Sequence, residues 1–218
     1  MPADYLTDRS HLLVAGVTGA RTDYGGKTSL ANWLASTHGR AAFDVVIMAN
    51  VKADSAPEDH AEVVVDDVEG IGRAMGEGHT HICLTPSSAD WEGVSQRLRE
   101  FVEALPTDLS KLVVLDEAPE LDEGALQWFV RVSGNGANCK AVILSQAPGD
   151  LPMAVRRQCI LVWVGPVSEQ NRHVFTANSL GNHFDAMQRE HEPYHWSVLL
   201  GPEDQDRDHY RPVPEEYA

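Results

Sequence analysis

The tripeptide Gly26-Lys27-Thr28 restricts what this 218-residue chain can fold into more than any other feature. It follows an apolar run at 12–15, which is typical of a buried strand, and begins a segment at 28–37 with helical spacing of apolar residues. In such a turn, backbone N–H groups surround phosphate oxygens, the Lys reaches the β- and γ-phosphates, and the Thr hydroxyl binds Mg²⁺. The pattern therefore predicts a nucleotide phosphate-binding loop in which the N-terminus of a helix faces the anion.

The spacing of this motif departs from the common pattern G-x-x-x-x-G-K-[S/T]. Arg21 stands where the first glycine is expected, but treating residues 21–25 as an insertion leaves a complete motif. We interpret the segment as a Walker A loop with a five-residue insert and expect deletion of 21–25 to preserve nucleotide binding. A chance occurrence in a surface turn is the alternative. The candidate nucleotide-binding residues are Gly19, Gly25, Gly26, Lys27, Thr28 and Ser29.

An apolar run at 111–115 ends in Asp116-Glu117, which is the Walker B arrangement. A carboxylate at the carboxyl end of a strand lies beside the phosphate loop, where open α/β sheets bind their ligands. Asp116 is then a candidate for holding Mg²⁺ and Glu117 for the general base that activates water. A strand that simply ends in solvated acids is the alternative.

A third motif is the strand pattern at 141–145 followed by Gln146. A polar amide one strand after Walker B suits a catalytic sensor that hydrogen-bonds the γ-phosphate or the attacking water. A Gln that only caps a strand–loop junction is the other interpretation.

Alternation of apolar runs with helical patterns predicts an α/β fold: a mostly parallel P-loop NTPase sheet of RecA-like type with helices on both faces. We expect one domain over 1–218, with a core at about 11–165, an extension at 166–200 and a polar, mobile tail at 201–218. The predicted strands are 12–16, 43–50, 79–84, 112–116, 141–145, 159–164 and 195–200. The predicted helices are 28–37, 66–76, 91–105, 123–133, 169–176 and 181–190, and residues 53–59 are expected to form a loop.

The chain is strongly acidic, with 33 Asp and Glu against 17 Lys and Arg and a formal net charge of −16. The acidic residues are spread along the chain, which favours a folded protein adapted to concentrated salt, because charge repulsion is screened over about 3 Å at 1 M. An ordinary acidic enzyme is the alternative. The sequence shows no basic-then-apolar leader pattern and no run of about 18 apolar residues, so we expect a cytoplasmic protein without a membrane span.

Three segments together resemble the FtsK/HerA superfamily of P-loop ATPases. They are Asp-Glu-Ala-Pro-Glu-Leu at 116–121, Ile-Leu-Ser-Gln-Ala-Pro-Gly-Asp-Leu-Pro at 143–152, and Gln158-Cys159, with Arg131 in the helix between the first two. The resemblance covers residues 11–165, and the insert in the phosphate loop departs from the family pattern. Members include DNA translocases, conjugation ATPases and small genome-packaging ATPases of viruses.

The resemblance implies ATP and Mg²⁺ as cofactors and a ring of five or six copies acting on double-stranded DNA. In such a ring an arginine reaches the γ-phosphate of the neighbouring subunit. Arg131 ranks first for this role by its position, ahead of Arg156 and Arg157, and each of the three is alternatively a surface or salt-bridge residue. A viral packaging ATPase in the host cytosol, associated with the virion through a capsid or vertex protein, matches the short chain.

The predicted function is therefore ATP hydrolysis that drives DNA translocation, most specifically viral genome packaging. One alternative is an assembly or secretion ATPase that moves protein and hydrolyses ATP without stimulation by DNA. Another is a nucleotide-dependent switch or a small-molecule kinase, for which the segment around Arg156 and Arg157 is the candidate basic lid.

Overall fold

The computed structural model describes residues 5–6, 10–16, 26–51, 53, 55–87, 90–131, 136–165, 167, 169, 172–177, 180–190, 195–200 and 207–210. Within these residues nine strands form one sheet. The strands are β1 His11–Gly16, β2 Val45–Ala49, β3 Val63–Val65, β4 His81–Leu84, β5 Lys111–Leu115, β6 Cys139–Ser145, β7 Cys159–Val164, β8 Trp196–Leu199 and β9 Arg207–Tyr210.

The strand order is β3-β4-β2-β5-β6-β1-β7-β8-β9. The pairings from β3 through β7 are parallel, and β8 and β9 add two antiparallel strands at one side. The expectation of a mostly parallel α/β sheet is confirmed. Because β6 lies between β1 and β5, the carboxyl ends of these three strands meet at one edge, which is where α/β sheets bind ligands.

Helices cover both faces of the sheet. One long helical segment begins with α1 at Lys27–Trp33, widens into a π-helical stretch at Leu34–Gly39 and ends at Ala42. The other helices are α2 Ser55–His60, α3 Val68–Gly76, α4 Trp91–Ala104, α5 Glu123–Arg131, α6 Met153–Arg156, α7 Arg172–Ala177 and α8 Gly181–Glu190. None of the described helices has the length and hydropathy needed to cross a membrane.

The two faces have separate apolar cores. Leu30 and Leu34 of the α1 segment pack against Val14, Val114 and Leu144 on one face. Side chains from α3 to α8 pack with the alternate residues of the same strands on the other face. Because both faces are covered, the central strands are apolar along nearly their whole length, which made them easy to predict.

Three elements differ from the prediction. Residues Ser55–His60 form a helix rather than a loop, although Ser, Pro and acidic residues dominate this segment. β3 was not predicted because three valines are too short a run to show a period. β9 lies in the expected mobile tail, and its charged sequence is that of an outer strand that pairs only with β8.

The opposite edge of the sheet, where β5 begins, is held by a buried cation. The Lys111 side chain is fully buried, and its ammonium group donates to the carbonyl oxygens of Pro106, Leu109 and Ala137. These carbonyls belong to two loops that enter β5 and β6. One charge therefore satisfies backbone acceptors that would otherwise be buried without donors.

Candidate active site

The turn into α1 has the backbone properties of an anion-binding helix start. Gly26 adopts φ 129°, a conformation that side-chain-bearing residues rarely take, immediately before the first helical residue. Among the residues that the structure describes, no side chain caps this N-terminus, and the first turn of α1 contains no acidic residue. The first backbone N–H groups of the helix and the partial positive charge of its dipole lie at this end. Gly19 and Gly25, also predicted to bind nucleotide, lie outside the described residues.

Gly16, the last residue of β1, is in close contact with the neighbouring strand. A Cβ atom placed there would lie 2.3 Å from the carbonyl oxygen of Val164 on β7. Any side chain would therefore push β1 away from β7 at the point where the chain enters the loop. The glycine fixes the position from which the loop leaves the sheet.

Lys27 is buried at the start of α1, with 7% of its surface exposed. Its Nζ donates to the carbonyl oxygen of Gly16 at 3.1 Å, so the ammonium group lies above the end of β1. Thr28 and Ser29 follow in the first turn, where both are half-buried. The three residues stand at the sheet edge that the sequence predicted for them.

Asp116 and Glu117 follow β5 at the same edge. Asp116 is buried, and its backbone N–H extends the ladder to β2 by donating to the carbonyl oxygen of Ala49 at 3.1 Å. Its Oδ1 accepts a hydrogen bond from the backbone N–H of Glu117 at 2.9 Å. Alternation along β5 places the Asp116 side chain on the same face as Val114, which is the face covered by α1.

Glu117 has a strained backbone, with φ 44° in the left-handed region. For a residue with a side chain this conformation costs about 1–2 kcal/mol, and such residues concentrate at functional sites. Gln146, the residue after β6, donates from Nε2 to Oε1 of Glu117. The structure thus joins two predicted site residues that are 29 positions apart in the sequence.

The three candidate arginines lie elsewhere on the molecule. Arg131 is the last residue of α5 and is exposed, Arg156 donates from Nε to the carbonyl oxygen of Leu151, and Arg157 is exposed. α5 and α6 pack on the face opposite α1. Among the described residues, neither Arg131 nor Arg157 forms an ion pair. The structure therefore does not bring these arginines to the site formed by their own chain.

Asn50 is a site-edge residue that the sequence analysis missed. It follows β2, is fully buried, and donates from Nδ2 to the hydroxyl of Thr85 at 3.3 Å. The ladder between Asp116 and Ala49 puts Asn50 beside Asp116 at the end of the neighbouring strand. The available signal was an Asn directly after an apolar strand, the same signal that identified Gln146.

No protein-family model matches the chain, and no curated protein matches it by sequence. The solved structures do include similar folds. The genome packaging NTPase B204 from Sulfolobus turreted icosahedral virus 2, in complex with AMPPCP, superimposes with a TM-score of 0.67 at 11% identity. That comparison covers 95% of this chain and 100% of B204. The sulfate complex of the same protein gives a TM-score of 0.69 at 10% identity, covering 94% and 98% of the two chains.

A second, more distant similarity is to the cytoplasmic domain of the type VII secretion ATPase EccC from Thermomonospora curvata. The TM-score is 0.53 at 15% identity, and the match covers 89% of this chain but 24% of that one. The similarity to B204 spans nearly the whole of both proteins. The chain therefore has the α/β fold of the P-loop NTPases, in agreement with its sequence resemblance to the FtsK/HerA superfamily.

Proposed function

We propose that this protein is an ATP hydrolase that drives translocation of double-stranded DNA, and specifically a viral genome-packaging ATPase. The observation that carries the proposal is the meeting of two groups of residues at one sheet edge. The start of α1 with Lys27 lies at the end of β1, and Asp116, Glu117 and Gln146 lie at the ends of β5 and β6.

The residues present fit a nucleotide with its metal ion. Helix N–H groups and a lysine ammonium are donors for phosphate oxygens, and the first turn of α1 contains no carboxylate that would repel them. The Thr28 hydroxyl and the Asp116 carboxylate are the oxygen ligands that Mg²⁺ prefers. Bound Mg²⁺ would neutralise charge that develops on the phosphates during transfer.

Different residues of the chain have different roles in hydrolysis. Lys27 exchanges its contact with Gly16 for the phosphate oxygens and offsets their charge. Glu117 accepts a proton from a water molecule as the water oxygen bonds to the γ-phosphorus. The bond from that phosphorus to the bridging oxygen breaks, and ADP and phosphate are released. The strained backbone of Glu117 holds its carboxylate at the edge where this water must stand.

The DNA-moving role rests on the likeness to B204, the genome packaging NTPase of Sulfolobus turreted icosahedral virus 2 and the DNA-packaging ATPase of Sulfolobus turreted icosahedral virus. In a ring of five or six subunits, Arg131 is the first candidate for the arginine that reaches the neighbour's nucleotide, and its exposure leaves it accessible to a neighbouring subunit. The acidic composition supports a salt-rich host cytosol as the setting, where counterion release contributes little to DNA binding. A capsid or vertex protein would anchor the ring.

The second candidate is an ATPase that moves protein, which the fold shared with the EccC domain favours. The two candidates use the same catalytic edge and differ in what stimulates hydrolysis. DNA would accelerate turnover by a translocase and would leave turnover by a protein-moving ATPase unchanged.

The deciding experiment is the ATPase rate in molar KCl with and without double-stranded DNA, with Glu117→Gln, which should retain only a residual rate, as the reference variant. DNA-stimulated hydrolysis that disappears in the variant supports the DNA translocase. Hydrolysis that is indifferent to DNA supports the protein-moving alternative. Transfer of phosphate to a nucleoside acceptor without net hydrolysis would contradict both and indicate a kinase.

A further inference from the structure

The contact between Gln146 and Glu117 limits what Gln146 can do in the proposed reaction. The two side chains leave adjacent strands, since β5 and β6 pair in parallel with Leu115 opposite Ile143. Both residues are half-buried. One N–H of the Gln146 amide is donated to Oε1 of Glu117, so the orientation of the amide is fixed by the carboxylate.

The position of Glu117 is in turn fixed from its backbone side. Its N–H is held by Oδ1 of Asp116, and its φ of 44° aims the side chain away from the direction that β5 would give it. The carboxylate is therefore restrained at both ends, by the backbone at one end and by the Gln146 amide at the other. A charge-assisted hydrogen bond is roughly twice as strong as a neutral one, so removal of the amide would release the carboxylate.

We infer that Gln146 is a positioning residue that acts through Glu117, and that it is not an independent contact to the γ-phosphate. Its amide holds the carboxylate in the orientation from which Glu117 accepts the proton of water. The amide oxygen, turned away from the carboxylate, is an acceptor and suits the second O–H of that water; the second N–H of the amide is given no part in phosphate binding by this inference, which the affinities below test. This inference rests on the proposed ATP hydrolysis and assigns one residue's part in it.

The same chain offers a matched control for this interaction. On the exposed surface of α5, Gln127 donates from Nε2 to Oε1 of Glu123 at 2.8 Å. This pair has the same two side chains and the same atoms, and it lies outside the catalytic edge. Gln127→Ala therefore removes a hydrogen bond between the same atoms at an exposed position outside the catalytic edge.

The test is a double-mutant cycle on hydrolysis with the purified full chain. We expect Gln146→Ala to lower kcat by about 10²-fold, as expected when a general base loses its position. Affinities for ATPγS and for ADP should both stay within about twofold of the wild type. In the Glu117→Gln background, Gln146→Ala should have no further effect, because residues that act as a unit are not additive. Gln146→Met, similar in length but without the donor, should behave like Gln146→Ala.

Two results would overturn the inference while leaving the proposed function intact. One is a double variant in which the fold-losses of kcat of the two single variants multiply, which indicates that the two residues have separate roles. The other is a selective loss of affinity for ATPγS relative to ADP in Gln146→Ala, which indicates a phosphate contact. A wild-type chain that hydrolyses no ATP would overturn the proposed function and this inference together. Thermal unfolding of each variant shows whether a loss of rate comes from a loss of fold.

Discussion

Lys27 donates a hydrogen bond from its ammonium group to the carbonyl oxygen of Gly16, 3.1 Å away, and thereby joins the first residue of α1 to the last residue of β1. The two residues are 11 positions apart in the sequence. The lysine is held beside the point where phosphate is expected to bind. The bond therefore joins the two described residues that flank the predicted phosphate-binding segment.

The first prediction concerns the buried charge of Lys27. Lys27→Met should weaken ATP binding at least tenfold, about 1.4 kcal/mol, because the phosphates lose their opposing charge. Thermal stability should fall modestly, since the Gly16 carbonyl loses its donor while an apolar side chain of similar size fills the space. Titration with a fluorescent ATP analogue and thermal unfolding measure the two effects.

Lys140 supplies the control for this prediction. It is a buried lysine at the start of β6, and its ammonium group donates to the backbone carbonyl of Tyr5. Lys140→Met should leave ATP affinity unchanged. Equal loss of ATP affinity in both variants would show that the Lys27 effect is not specific to the site.

The second prediction concerns Lys111, whose ammonium group binds three carbonyl oxygens at the edge of the sheet away from the site. Lys111→Met should destabilise the protein by about 2–4 kcal/mol, because each buried carbonyl left without a donor costs about 1–3 kcal/mol and the loops relax only in part. Urea unfolding followed by circular dichroism measures this change. The ATPase rate per folded molecule should be unaffected, and a wild-type unfolding midpoint would contradict the prediction.

The third prediction concerns two buried histidines. Burial lowers the pKa of both His11 and His81 to about 4. A nearby cation makes a smaller contribution in the same direction, which is Lys140 for His11 and Arg40 for His81. The ordinary value is 6.5. Between pH 6.5 and 4 the unfolded chain binds protons at these sites that the folded chain does not. The stabilisation is therefore complete above pH 6.5 and is lost as the pH falls towards 4.

Each histidine should contribute about 1.4 kcal/mol for every unit of pKa difference. We expect urea unfolding between pH 7 and 4.5 to show a falling free energy of unfolding, with a shallower slope in His81→Leu. The comparison variant His79→Leu, at a half-buried position two residues earlier, shows what replacement of a histidine in this segment does by itself. Equal slopes in the wild type and His81→Leu would refute the assignment.

The fourth prediction concerns the acidic surface. With a net charge of −16, the folded chain should lose stability as KCl falls from molar to millimolar concentrations, because the repulsion between carboxylates is then unscreened. Thermal unfolding across a KCl series measures the loss. A parallel series at constant osmolality, adjusted with sucrose, separates screening from water activity. Full stability in dilute buffer would contradict adaptation to a salt-rich cytosol.

The sequence by itself determined the central strands of the sheet and the polar motifs that lie next to them. Strands covered on both faces are almost continuously apolar, as at β5 and β7, so they can be recognised without a partner. The Lys-Thr and Asp-Glu motifs were readable for a similar reason. Each is a short polar sequence placed directly after or before an apolar element, and local order along the chain is sufficient to find it.

The tertiary structure alone decided which of those residues meet. The hydrogen bond from Gln146 to Glu117 depends on the placement of β6 between β5 and β1. No local sequence pattern specifies the order of the strands in the sheet. The same holds for Asn50, which lies at the strand end next to Asp116 only because β2 pairs with β5. β9 was missed since its strand is stabilised by a neighbour rather than by its own apolar pattern. Local composition specifies elements, whereas contacts between distant segments specify the site.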